Sequence, residues 1–312
     1  MNNMIALLQD PNLQWVLLSC LLLGLGSGVL GSFAYLRKQS LMGDALSHAA
    51  LPGVCIAFML TGSKSVFLFL IGAAVSGLIA TFGIGYITRH SRIKQDSALA
   101  IVLSVFFGIG IVLLTRIQHS GSGSQSGLDK FLFGQAAAQV KSDVWIMACI
   151  SLLLILVCAL FYKEFKLLSF DPGFARGLGL PVAVLDQFMM LLMVVSVVVG
   201  IQAVGVVLMA ALLITPAVSA RYWTERLGVM VILAGLFGAV SGVLGTFVSV
   251  SAHNLPTGPL CVLAATGLFL ISVVFAPRRG LLGKLLLRLS VRRSYRLNNQ
   301  TARVAVKEGE RA

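Results

Sequence analysis

The chain reads as long apolar runs separated by short polar breaks, and the runs have the length that a membrane demands. A bilayer core about 30 Å thick takes about 20 helical residues to cross, because lipid offers the backbone no hydrogen-bond partners. Runs of this kind lie at roughly 14–36, 43–62, 66–88, 97–115, 143–162, 184–204, 205–223, 227–250 and 257–276. They predict an all-α fold, a polytopic transmembrane helical bundle of about nine spans. Gly200 and Gly205 leave one region open. A tight hairpin there keeps the count at nine, whereas a bend in one long tilted helix over 184–223 gives eight. The first run follows Asp10-Pro11-Asn12 and is far longer than a signal-peptide core, so a retained helix is expected rather than a cleaved leader. The predicted organisation is a membrane domain over 1–276 and a basic tail over 277–312.

Within the runs, Gly24, Gly26, Gly28 and Gly31 in the first and Gly235, Gly238, Gly242 and Gly245 in the eighth are spaced as small residues are where helix backbones approach closely. They are expected to pack helices. A composition of 58% hydrophobic and 11% charged residues excludes an ordinary water-soluble domain. The net charge of +13 then needs explaining. Lysine and arginine stay on the cytoplasmic side of a membrane protein. With alternate loops assigned, Arg37, Lys38, Arg89, Arg92, Lys94, Lys163, Lys166, Arg176, Arg221, Arg226 and the bases after Pro277 share one side. Only Lys64, Arg116, Lys130 and Lys141 fall on the other. The amino terminus is therefore expected outside and the carboxy terminus in the cytoplasm, and the charge is matched to anionic lipid with no need for nucleic acid.

The cysteines at 20, 55, 149, 158 and 261 lie within spans with no Cys-x-x-Cys spacing, and read as small core residues. No Walker A phosphate loop is present: Gly62-Ser63-Lys64-Ser65 lacks the Gly-Lys pair. If transport here consumes ATP, a separate protein hydrolyses it. The loop 116–130, with Ser120-Gly121-Ser122-Gly123-Ser124, reads as a flexible outward-facing tether. In the tail, Lys284, Arg288 and Arg292 recur beside Leu281, Leu285, Leu286 and Leu289, a basic amphipathic helix suited to the anionic inner leaflet, and beyond Asn298 disorder is expected.

Two polar stretches carry candidate chemistry. In the first, Leu41 to Gly53, Asp44 is the one acid placed clearly inside a span and His48 the one histidine. At i and i+4 they share a helix face. Ionisable groups inside a membrane are costly and mark pathways. Pro52 lacks the N–H that would bond the His48 carbonyl four residues earlier, so one turn could offer a carboxylate, an imidazole and a bare carbonyl. Mixed oxygen and nitrogen donors suit zinc, manganese or iron(II), and the absence of nearby thiolates argues against copper(I). The alternative is structural: Asp44 caps the helix after Gly43 and His48 bonds a neighbouring helix. His90, His119 and His253 lie near span ends and are expected to be solvated or interfacial. In the second stretch, Leu168 to Pro181, Asp171 before Pro172 starts a helix and Gly179 with Pro181 stops it. A short helix with exposed Phe and Arg results, suited to a groove on a partner.

Arg37 through Gly53, RKQSLMGDALSHAALPG, together with SFDPGFARGLGLP at 169–181, resemble the permease family of ATP-binding-cassette importers for zinc, manganese and iron. GVVLMAALLITPAVSAR at 205–221, NLPTGPLCVL at 254–263 and LDKFLFGQAAA at 128–138 are similar to it as well, the last most like the manganese branch. The resemblance covers the chain to about residue 276 and leaves out the basic tail. It implies one of two permease chains in the cell membrane of a prokaryote, fed by an extracellular or periplasmic metal-binding protein and driven by two cytoplasmic ATPase subunits. The second permease could be identical or different. No cofactor is implied on this chain itself; the metal is cargo and ATP belongs to the partner. Asp44 and His48 match the family's membrane-embedded metal site. Phe170, Asp171, Pro172, Phe174, Ala175 and Arg176 match its ATPase-contacting coupling helix, within a cytoplasmic loop over 163–181. Pro52 and Pro216 are candidate bending points for a switch in which side the site faces. An ion-driven secondary carrier is the rival reading, although such carriers usually need several intramembrane acids. A membrane-embedded enzyme using Asp44 and His48 as acid and base is a weaker rival, since only Ser47 stands near, on a different face.

Overall fold

A computed structural model describes residues 11–62, 66–119, 141–251, 255–277 and 279–283. The Gly-Ser loop from 120 onward, the LDKFLFGQAAA stretch, His253 and the amphipathic tail from Lys284 lie outside the described residues. Among the described residues the chain is helical throughout, with no strand. The elements are α1 (Pro11–Leu36), α2 (Met42–Thr61), α3 (Val66–His90), α4 (Gln95–His119), α5 (Lys141–Leu160), α6 (Tyr162–Phe170), α7 (Pro172–Gly177), α8 (Val182–Val204), α9 (Val206–Trp223), α10 (Leu227–Ser251) and α11 (Thr257–Phe275).

Seven of these helices are long and apolar enough to cross a membrane. The count rises to eight if α5 and α6, bent by 68° at their junction, form one broken span. Nine is not reached on this measure. The 18 residues of α9 extend about 27 Å at 1.5 Å per residue, slightly less than a bilayer core. The 184–223 region is not one helix: the chain breaks at Gly205, whose φ of +94° suits glycine alone. Met209 folds back against Gly200, which in a straight helix would lie about 13 Å away along the axis.

α1 is the central post. Of its membrane window 72% is buried, against 22% for α11 and 28% for α4, whose large apolar side chains face outward where lipid would lie. Small residues make this centrality possible. A Cβ on Gly24 would collide with the Gly238 carbonyl, one on Gly28 with that of Ala234, one on Gly242 with that of Cys20, and one on Gly31 with that of Leu213. The expected glycine packing is therefore real, and it joins α1 to α10 and to α9. Without water-driven burial between helices in lipid, such close backbone approach is the principal source of attraction.

The helix ends that carry Arg37, Arg89 and Arg221 gather at one end of the bundle. An aromatic group seats α6 there: Phe33 of α1 meets Phe165 edge-on at 5.6 Å, and Phe161 meets Phe188 of α8 at 5.3 Å. Phe165 and Leu168 are fully buried, so α6 bends across the bundle end because its apolar face has a home there.

Candidate functional site

α2 begins at Met42, and its preceding residue Leu41 makes no side-chain cap. Asp44 is in the first turn and is not the cap, so that structural alternative does not hold. Its charge is nonetheless favoured there by the amide dipoles of the helix start. One turn on, His48 places Nε2 3.5 Å from Asp44 Oδ1, with the histidine side chain 20% exposed and the aspartate 46%. That separation is too long for a strong hydrogen bond, so the two groups face the same space without satisfying each other. His48 Nδ1 is buried with no hydrogen-bond partner, and the second half of the structural alternative fails with it. The ring is held edge-on against Phe107 of α4 at 4.8 Å.

The backbone around the pair is fixed by close packing. Gly43 rests on Ala210 of α9, and Gly53 meets the Gly72 carbonyl of α3 with no room for a side chain. Ser76 of α3 donates its hydroxyl to the Ala49 carbonyl at 2.6 Å, beside the ladder position that Pro52 interrupts. Pro216 interrupts α9 similarly, in the helix that touches the first turn of α2. Among the described residues no three His, Cys, Asp or Glu side chains converge as a metal-binding group. The turn thus places one carboxylate and one imidazole on a shared face.

The second predicted element is formed as its sequence prescribes. Asp171 caps α7, its Oδ1 accepting the Phe174 amide at 2.9 Å, and Pro172 occupies the first turn. At the other end Gly179 takes a φ of +81° while its amide bonds the Arg176 carbonyl and the Leu180 amide that of Ala175. This paired pattern is a Schellman stop. Phe170 and Phe174 stand 56% and 57% exposed and Arg176 is exposed as well, whereas Ala175 is wholly buried. Ala175 therefore seats the helix and does not form part of its outer surface. α7 packs on α6 and α8, whereas the Asp44–His48 turn lies against α9 and α4.

Asp44 is not the only acid within a span. Asp186 lies one turn into α8, inside the membrane-crossing stretch Val182–Ile201, and forms an ion pair with Arg37 at the end of α1. Sequence reading did not single it out; an Arg some 150 positions away gives no local signal. His90 and His119 bond only carbonyls of their own helices and are exposed, as expected. Cys20, Cys55, Cys158 and Cys261 are buried and free, whereas Cys149 is exposed on the outer face of α5.

A helical bundle built to lie in lipid, with an ionisable pair held on an interior-edge helix, is the architecture of a membrane transport protein. Residues 9–276 match the ABC 3 transport family, and the chain belongs to it. It is 59% identical over 286 residues to the manganese transport system membrane protein MntC of Bacillus subtilis, covering 92% of this chain and 66% of that protein, just under two thirds of its length. It is 48% identical to the zinc transport system membrane protein TroC of Treponema pallidum, covering 91% and 96%. The structure of PsaBC from Streptococcus pneumoniae in complex with Fab contains a chain 36% identical, superposing with a TM-score of 0.78 over 89% of this chain and 97% of that one.

Proposed function

We propose that this chain is the membrane-spanning permease of an ATP-driven importer for divalent transition-metal ions, with manganese the favoured cargo and zinc or iron(II) the alternatives. The observation that carries the reading is the Asp44–His48 pair, a carboxylate and an under-coordinated imidazole on one helix turn in a lipid-embedded bundle. The names of its relatives support manganese and zinc. Since one chain supplies two donors, a second permease chain facing the first would complete a transient site. The carboxylates offset the ion's charge in a low dielectric, and the site stays weak enough to release its ion.

Counting α5 and α9 as crossings gives nine spans, which puts the amino terminus outside and the basic end, with the tail from 277, in the cytoplasm. α7 then faces a separate ATPase subunit with Phe170, Phe174 and Arg176 outermost. An extracellular metal-binding protein would load the opposite end. ATP binding would shift α7 and switch which side the site faces, with Pro52 and Pro216 as bending points.

The test is uptake. The chain, co-purified with its ATPase and binding protein and reconstituted in liposomes, should take up manganese only when ATP is supplied. Asp44→Asn should lower that uptake by about tenfold or more, as loss of a charged ligand does, with assembly unchanged. Normal uptake by an assembled Asp44→Asn complex would remove the site, and uptake without any ATPase would favour an ion-driven carrier.

A further inference from the structure

Resting on the transport reading, we infer that Arg37 and Asp186 form a positioning pair that carries movement of α7 to the Asp44–His48 turn. The path is short at both ends. Only residues 178–181 separate α7 from α8, and they are bonded into one unit: the Leu180 amide to the Ala175 carbonyl, the Val182 amide to the Leu180 carbonyl. Ala175 is fully buried and Leu180 packs against the main core, so α7 and the first turn of α8 are mechanically one piece. Asp186 is the residue that follows that first turn.

Its partner Arg37 follows the last residue of α1 and also lies 3.9 Å from the Met189 sulfur, on the same face of α8. The pair is shielded, with side-chain exposures of 14% for Arg37 and 27% for Asp186. The exposed pair Arg279–Glu225, at 45% and 56%, marks the contrast. An exposed pair transmits little force because water replaces either partner, whereas a shielded charge stripped of its partner has nothing to replace it.

From Arg37 the chain reaches α2 through residues 38–41, and this turn is under strain. Lys38 has a φ of +58°, the one non-glycine among the described residues in the left-handed region. Its amide and that of Gln39 close the end of α1 on the Tyr35 and Ala34 carbonyls, a stop that glycine normally makes. Gln39 is buried with Oε1 lacking a partner, and its carbonyl accepts the Met42 amide that opens α2. A strained backbone persists only where its surroundings hold it, and such strain gathers at switch segments. The charge pair supplies the hold: with Arg37 held by α8 the turn stays as it is and Asp44 keeps its place, and when α8 withdraws the carboxylate the turn is released.

The experiment uses the reconstituted complex and reads metal transported per ATP hydrolysed. Asp186→Asn and Arg37→Gln should each lower that ratio by about tenfold or more while ATP hydrolysis largely persists, the size of effect that loss of a charged hydrogen bond carries. The exchanged protein Arg37→Asp/Asp186→Arg should recover most of the ratio, and Asp186→Glu should keep it. If a single variant fails to assemble, Asp186→Glu and the exchange carry the comparison. A wild-type ratio in the single variants overturns the inference. So does loss of hydrolysis and uptake in equal proportion, and so does an exchange no better than the single variants when those assemble. Failure of the wild-type complex to take up any metal overturns the transport reading and this inference with it; failure of the ratios alone leaves that reading standing.

Discussion

α1 makes two kinds of contact, and they differ in what they allow. Along its length, Gly24, Gly28 and Gly31 meet carbonyls of α10 and α9 with no side chain between, so the helices fit in one arrangement. At its end, Arg37, Lys38 and Gln39 bring a long charged side chain, a left-handed lysine and an unpaired amide oxygen into one turn. Backbone packed on backbone cannot slide without a clash; a turn held by one ion pair can change when that pair is opposed. On the inference above, the seam forms the frame and the turn is the segment that moves, while α2 beyond it is itself packed backbone to backbone on α3 at Gly53. A transporter needs both, since motion is useful only relative to something that stays still.

The largest effect should come from breaking the frame. Gly24→Leu places a branched side chain against the Gly238 carbonyl, where even a Cβ has no room. Overpacking of this kind costs typically about 1–3 kcal/mol in a soluble core and more where two backbones must separate. The expected outcome is loss of monodisperse protein after detergent extraction, read by size-exclusion chromatography. Recovery of normal protein would mean the seam is looser than described.

Changing the mobile side should spare the fold. His48→Gln removes the imidazole beside Asp44, and uptake should fall by about tenfold with the melting temperature of the purified protein little changed. In the wild type, uptake should weaken as the medium is acidified. A ligating imidazole must be neutral, so protons compete with the metal, and the sign is loss towards acid. The His48→Gln protein should show a flatter acid limb in a pH series; an unchanged limb would place the proton competition elsewhere.

The smallest effect belongs to α7. Asp171→Ala removes the cap on the Phe174 amide, worth about 1 kcal/mol in a helix start. Ala175 and the Schellman stop remain, so the element should loosen without being lost. Transport should fall a few-fold, and affinity for the ATPase subunit, followed by pull-down, should fall in step.

Much of this was legible locally. The Asp171 cap, the Gly179 stop, the glycine rows of α1 and α10 and the i, i+4 relation of Asp44 to His48 are each set by neighbours within a few residues, and each stands where the sequence places it. The reading of Asp44 as a structural cap did not survive, because α2 starts at Met42 and puts the acid in its first turn instead. Ala175, matched to the coupling helix by resemblance alone, is buried beneath α7, a position no local pattern gives for alanine.

The sequence by itself determined the solvent, the helical class and the ends of the elements, because span length, caps and glycine geometry depend on short stretches of chain. Only the tertiary structure decided which carbonyl each glycine meets, that α5 and α6 part at 68°, and that Asp186 answers Arg37. Those depend on how helices far apart in the chain come to lie side by side, and in lipid that choice rests on the fit of surfaces, which no single segment contains.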